Sequence, residues 1–369
     1  MKWEDYFLKH PEEIETPAML VFEDKLEHNI RATVELAGGA QNLMPHVKTH
    51  KSEEILQRQM AAGIKAFKCA TLKEAEMIAR AGASEVLLSY PLAQDKKAQR
   101  FILLQQKYPE TKWLALASST RHLETLAKAA PEAGRTVSVM VDLDVGMHRT
   151  GIDPGEPAFE LCARILETQG LTFAGLHAYD GQNHQTDLAE REAAANEALG
   201  FVRKLETKLQ NAGFGQFPIV MGGSPCYPYY AREDGIKASP GTTVYWDGAY
   251  SIYMPDLPFR CCALILTQVV DENKALGLIT LDLGSKAICS DKDTPDRATF
   301  PGYPELNILR QSEEHLVLDV GGASLSIGDY LLAIPRHVCT AVIRYPGAWL
   351  IDKQGNVIKW IEHTARDRL

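Results

Sequence analysis

Between Thr16 and about Gly248 the chain repeats one unit: a short apolar run, a turn, and a segment with helical periodicity. The runs are AMLVF (18–22), NLMPHV (42–47), KAFKCA (65–70), EVLLSY (85–90), KWLALA (112–117), TVSVMVDLD (136–144), TFAGLHA (172–178) and FPIVMGG (217–223). Strands alternating with helices point to a parallel α/β array, and eight of them favour a (β/α)8 TIM-like barrel. A doubly wound sheet is the alternative, but no G-x-G-x-x-G follows the first run. The clearest helix covers 187–210, with Leu188, Ala195, Leu199, Val202, Leu205 and Leu209 on one stripe. Asp187 and Glu190 supply its N-terminal capping signal.

After about Ala249 the texture becomes β-rich. CCALILTQVVD (261–271), ALGLITLDLG (275–284), HLVLDVGG (315–322), DYLLAIP (329–335), TAVIRY (340–345) and GAWLIDKQGNVIKW (347–360) are short runs between turn residues. They read as an antiparallel β domain. The expected division is a barrel at 16–250 and a β-rich C-terminal domain at 251–369, with residues 1–15 packing on the latter.

The 39 basic and 48 acidic residues leave a net charge of −9, which argues against nucleic acid or an anionic membrane as partner. No apolar stretch reaches the roughly 18 residues a membrane span needs, and MKWEDYFLKHPEEIE lacks a signal-like apolar core. Seven cysteines without a CxxC pair make no disulfide framework. The expectation is a soluble cytoplasmic enzyme.

The densest polar cluster is PHVKTHK (45–51), at the end of the second run. In a barrel, strand C-terminal ends form the catalytic face. A lysine there, with a second cation beside it, is suited to nucleophilic use. On chemistry alone Lys48 and Lys51 are equally solvated helix-start residues. His337-Val338-Cys339 is a different signal: on a strand, residues i and i+2 share a face, so the pair could hold one metal ion. With 11 His and 7 Cys in 369 residues, roughly 0.2 such patterns arise by chance.

PHVKTHK resembles the cofactor-holding segment of fold-type III pyridoxal-phosphate (PLP) enzymes, and more narrowly the D-threonine aldolase and D-serine dehydratase family. The resemblance continues through FKCATLKEAEMIARAGASEVLLSYP (67–91), VDLDVGMHRTG (141–151), GLHAYDG (175–181), MGGS (221–224), SPGT (239–242), LDLGSKAICSD (281–291) and PRHVC (335–339). It implies an alanine-racemase-like barrel plus a β domain, with the cofactor on Lys48. A PLP phosphate needs backbone N–H donors at glycine-rich turns, which points to Gly223, Ser224, Gly241 and Thr242. Tyr227 either stacks nearby or packs against the barrel mouth. Arg149 or Tyr179 would meet the ring nitrogen, and neither keeps it protonated as a carboxylate would.

The resemblance also implies a divalent metal on His337 and Cys339 next to the cofactor. The cysteine favours zinc, whereas an aspartate in its place would suit manganese or magnesium. His184 is the preferred base for the β-hydroxyl proton, with His177, His46 and His50 as other candidates. The implied substrate is a small D-amino acid bearing a β-hydroxyl, and the implied assembly is a homodimer. Retro-aldol cleavage to glycine and an aldehyde is the favoured activity. Dehydration of D-serine or D-3-hydroxyaspartate is close behind, because the His-x-Cys pair leans that way. A racemase or a non-catalytic PLP-binding protein ranks lower.

Overall fold

The structure, a computed structural model, describes residues 1–132 and 136–368. It contains two compact units. One comprises Met1–Ala32, Thr49–Glu54 and Thr242–Arg366; the other comprises Thr33–Lys48, Ile55–Gly241 and Asp367–Leu369.

The second unit is built on parallel strands. In spatial order these are Ala66–Cys69, Glu85–Leu88, Lys112–Ala117, Val137–Leu143, Leu171–Ala178, Ile219–Met221 and Ile236–Ala238. Between its two outer strands runs the segment 42–47. Leu43 bridges Ala238 and His46 bridges Lys68, both in parallel, and Val47 N–H donates to Lys68 O at 2.9 Å. The (β/α)8 expectation therefore stands. Met44, Leu87, Leu114, Leu116, Met140 and Val220 fill the interior, as in a packed barrel rather than a pore.

Two barrel memberships differ from the sequence reading. Ala18–Phe22, expected as the first barrel strand, pairs antiparallel with Ala263–Asn273 and parallel with Gly347–Ile351 in the β-rich unit. All five of its residues are buried. A strand covered on both faces reads as a continuous apolar run whether it lies in a barrel or at the centre of another sheet. The eighth barrel position belongs instead to Ile236–Ala238, a three-residue strand around Lys237. In helix Leu188–Asn211 Asp187 caps the start, accepting from Glu190 N–H at 3.0 Å. The stripe shifts: Leu188 is 51% exposed, and Arg191 is buried in the first turn, donating to Gln185 O at 3.0 Å.

Gly175, in strand Leu171–Ala178, has φ +126°. A Cβ there would lie 2.1 Å from Pro218 O, a backbone atom that cannot swing aside. Gly175→Ala is expected to cost about 3 kcal/mol of stability, read as a lower urea-unfolding midpoint with unchanged slope.

The β-rich unit carries a sheet in the order Asn307–Gln311, Leu316–Asp319, Leu278–Leu281, Ala263–Asn273, Ala18–Phe22, Gly347–Ile351, Val357–Glu362, with Tyr330–Pro335 also on Ala263–Asn273. The N-terminal segment belongs to this unit, and Tyr6 O–H donates to Cys261 O at 2.9 Å. One expected strand is absent: TAVIRY (340–345) overlaps a short helix, Val338–Val342. Its buried residues Val338, Ala341 and Val342 follow the i, i+3, i+4 spacing of a helix face, and this outweighs the β-propensity of the run. No helix among the described residues is long and apolar enough to cross a membrane.

Candidate active site

At the C-terminal ends of the barrel strands lies a cavity of about 340 Å³, lined by His46, Lys48, Lys68, Asp142, Arg149, His177 and Tyr179 among others. Lys48 is half-buried in the turn after 42–47. Its backbone N–H donates to His46 Nδ1 at 3.2 Å. His46 Nε2 lies 3.3 Å from Ser89 Oγ. The Lys48 ammonium stands 5.8 Å from the Tyr179 ring centroid, the Lys68 amine 5.5 Å and the Arg149 guanidinium 4.9 Å, so three basic groups gather around one aromatic ring.

The cavity wall carries a polar chain that the sequence reading missed. Asp142 Oδ1 lies 2.6 Å from His177 Nδ1, and His177 Nε2 lies 3.1 Å from Lys68 Nζ. Lys68 also donates to Ser239 Oγ at 2.8 Å. Burial, then the positive charge of Lys68, pulls the His177 imidazole down, against the Asp142 hydrogen bond that raises it. The signal was present: Lys68 is a charge inside the apolar strand Ala66–Cys69, all of it buried, and such a residue persists only with partners.

Gly223 and Ser224 follow strand Ile219–Met221, and Gly241 follows the neighbouring Ile236–Ala238. Gly241 N–H donates to Ser224 Oγ at 3.1 Å, and Gly223 N–H to Asp180 Oδ1 at 2.8 Å. Burial pushes the Asp180 carboxyl up, against hydrogen bonds from Tyr230 and Gly223 that pull it down. In the β-rich unit, Thr242 opens a short 3₁₀ turn and is buried. Tyr227 is fully buried, which places it in packing. His184 is exposed in the loop before helix Leu188–Asn211 and does not line the cavity, whereas His46 and His177 do. His50, in the β-rich unit, is buried, and its Nδ1 accepts from Ser52 N–H at 3.2 Å.

These residues fit pyridoxal phosphate. Lys48, Lys68 and Arg149 face a single carboxylate of the cavity wall, Asp142, so an anionic ligand is favoured. The glycine-bearing ends of two adjacent strands do not line this cavity, and the N–H groups of Gly223 and Gly241 are given to Asp180 and Ser224.

In the β-rich unit, His337 and Cys339 do not share a strand face. The strand ends at Pro335, His337 is extended (φ −133°, ψ 102°), and Cys339 sits in the first turn of Val338–Val342. His337 Nδ1 is hydrogen-bonded to Asp291 Oδ2, whose other oxygen accepts from Thr340 Oγ1 at 2.7 Å. Burial pulls His337 down, but Cys339 and Asp291 outweigh it and hold the imidazole at about 9. Cys339 Sγ lies 3.3 Å from Thr49 Oγ1. Six of the seven cysteines are buried and Cys339 is not. No group of three or more His, Cys, Asp and Glu forms a metal cluster among the described residues. The donor set nonetheless fits a two-ligand site: an imidazole oriented by a carboxylate and hydrogen-bonded to a neighbouring thiol, a pair that a metal would take up by displacing their shared proton.

A parallel barrel with a lysine directly after its 42–47 segment, at a cationic cavity, has the features of the PLP barrel class. Comparison with known families matches residues 21–247 to the alanine racemase N-terminal domain and 262–351 to a putative serine dehydratase domain. The chain belongs to the family of the alanine racemase N-terminal domain, and it is a PLP-dependent lyase. It is 27% identical to D-threonine aldolase from Arthrobacter sp. over 88% of this chain and 86% of that protein. It is 25% identical to D-threo-3-hydroxyaspartate dehydratase from Delftia sp. (strain HT23) over 94% and 97%. The solved D-threonine aldolase from Filomicrobium marinum superposes with a TM-score of 0.88 at 27% identity, covering 96% of each chain.

Proposed function

We propose that this protein cleaves D-3-hydroxy amino acids by retro-aldol reaction, giving glycine and an aldehyde, with PLP on Lys48 and a divalent metal, zinc by preference, on His337 and Cys339. The observation that carries the reading is the cavity that combines Lys48 with Arg149 and the Asp142–His177 pair. The similarity to D-threonine aldolases along nearly the whole chain supports the choice of bond. When bound, PLP supplies an electron sink for charge developing at Cα, and the metal supplies Lewis acidity at the substrate oxygen.

The remaining work falls to the chain. Lys48 Nζ is the amine that holds the cofactor. Arg149 and Tyr179 pack as a cation on an aromatic face at the cavity wall, where either could meet the ring nitrogen. Gly223, Ser224, Gly241 and Thr242 are the proposed phosphate contacts. Asp142 fixes the tautomer of His177, leaving Nε2 as an acceptor. Asp291 orients His337, whose contact with Cys339 a metal would replace as it displaces the proton. His184 is the proposed acceptor of the hydroxyl proton, on chemical type alone. His184→Ala is expected to lose on the order of 10²-fold in kcat, and an unchanged kcat would remove it from the mechanism.

The His-x-Cys pair favours a second reading, dehydration to a 2-oxo acid and ammonia, the activity for which the Delftia relative is named. Incubating the enzyme, PLP and zinc or manganese with D-threonine, D-serine and D-3-hydroxyaspartate separates the two. Glycine plus aldehyde is the expected result. A 2-oxo acid and ammonia without aldehyde would sink the aldolase reading, and bound PLP with no turnover of any D-amino acid would sink both.

A further inference from the structure

An amine in the middle of a barrel strand must be held by something. Lys68 is 2% exposed, and an ammonium removed from water to that degree persists only with hydrogen-bonding partners. Ser239 Oγ at 2.8 Å and His177 Nε2 at 3.1 Å accept two of its three N–H donors. His177 is an acceptor there because its other nitrogen gives its proton to Asp142. The third donor is left for the cavity that Lys68 lines together with Lys48.

We propose that Lys68 is a positioning residue for the cofactor: by gaining and losing a proton at the end of the Asp142–His177–Lys68 chain, it sets the charge of the cavity wall and with it the ionisation state of the ring bound at Lys48. The proposal rests on the reading that Lys48 holds PLP. A strand lysine serving packing alone would need neither a tautomer-fixed histidine nor a place on the cavity wall.

The charged and titratable groups around Lys68 come from several elements. Lys48 follows the 42–47 segment, Asp142 and Arg149 stand on and after Val137–Leu143, and His177, Tyr179 and Asp180 stand on and after Leu171–Ala178, with the Tyr179 ring 5.5 Å from the Lys68 amine. In the cofactor-free chain, burial, followed by the positive charge of the Lys48 ammonium, pulls the Lys68 amine down to about 7; Asp142 and Asp180 oppose this and Arg149 adds to it. With Lys48 bonded to PLP the depression rests on burial and Arg149. Below that pH the ammonium adds a positive charge to the cavity, and above it the amine is neutral. The His177 imidazole is itself made less basic, first by burial and then by the positive charge of Lys68, with Asp142 opposing.

The test is the absorption spectrum of the holoenzyme, scanned about two pH units either side of neutrality, with cofactor affinity measured alongside. Wild type is expected to exchange intensity between the ring's absorption bands in one transition near neutral pH. Lys68→Met is expected to bind cofactor and lose that transition. Lys68→Arg, cationic at every pH in the range, is expected to be locked in the acid-side spectrum. Asp142→Asn removes a negative charge that favours the ammonium, so the midpoint moves down by about one pH unit.

A flat wild-type scan, or Lys68→Met titrating with the wild-type midpoint, overturns the proposal. The wild-type and arginine scans decide it even if the methionine variant fails to fold. Borohydride reduction separates the two ideas. A wild-type chain with no reducible adduct on Lys48 overturns the cofactor reading and this proposal with it. An adduct on Lys48 with no transition near neutral pH overturns this proposal alone.

Discussion

A Lys48→Ala chain is expected to fold normally, to lose its covalent chromophore, and to lose on the order of 10³-fold or more of its turnover. Folding is spared because Lys48 is half-buried in a turn, and its ammonium makes only a distant contact to an aromatic face. Activity is not spared, because no other side chain of the cavity can hold the cofactor in the same place. Lys68 is the one rival amine lining that cavity, and it is tied to His177 and Ser239. Lys48→Arg sharpens the comparison: it retains a cation near Tyr179 but cannot form the covalent link, so it should fail as alanine does. A Lys48→Ala chain that keeps its chromophore would move the cofactor to Lys68.

The second large effect concerns the metal pair. His337→Ala and Cys339→Ala are each expected to release the metal and reduce turnover by about 10²-fold or more, while PLP remains bound. Elemental analysis beside the cofactor spectrum reads both. Asp291→Asn should cost less, about 10-fold to 100-fold in metal affinity, because it orients His337 without being a ligand. Cys339→Asp should shift preference from zinc toward manganese. Unchanged metal content in both alanine variants would place the metal elsewhere.

The barrel was legible because parallel strands crossed by helices leave a two-period signature, and the β-rich region because its turns break the chain at short intervals. What misled was burial on both faces. Ala18–Phe22 carries the same all-apolar signature as a barrel strand, and only pairing partners far along the chain distinguish the two. Ile236–Ala238 was missed for the opposite reason: it is three residues long and centred on Lys237, whose ammonium is satisfied by Glu85 Oε2 at 2.5 Å. At the site, Lys48 was readable because PHVKTHK is a dense local pattern. Lys68 carried a signal, a charge in an otherwise apolar strand, but its chemistry and that of Asp142 appear only when three strands bring them to His177. His337 and Cys339 were found from spacing, but the strand geometry assumed for them was wrong, because the helix begins between them.

The central claim is that Lys48 carries the cofactor. Borohydride reduction of the PLP-loaded protein, followed by proteolysis and mass mapping of the labelled peptide, tests it directly. The expected result is one pyridoxyl-phosphate group per chain, on Lys48 and lost in Lys48→Ala. A label found on Lys68 or Lys51, or no label on a chain that still turns over D-3-hydroxy amino acids, would contradict it.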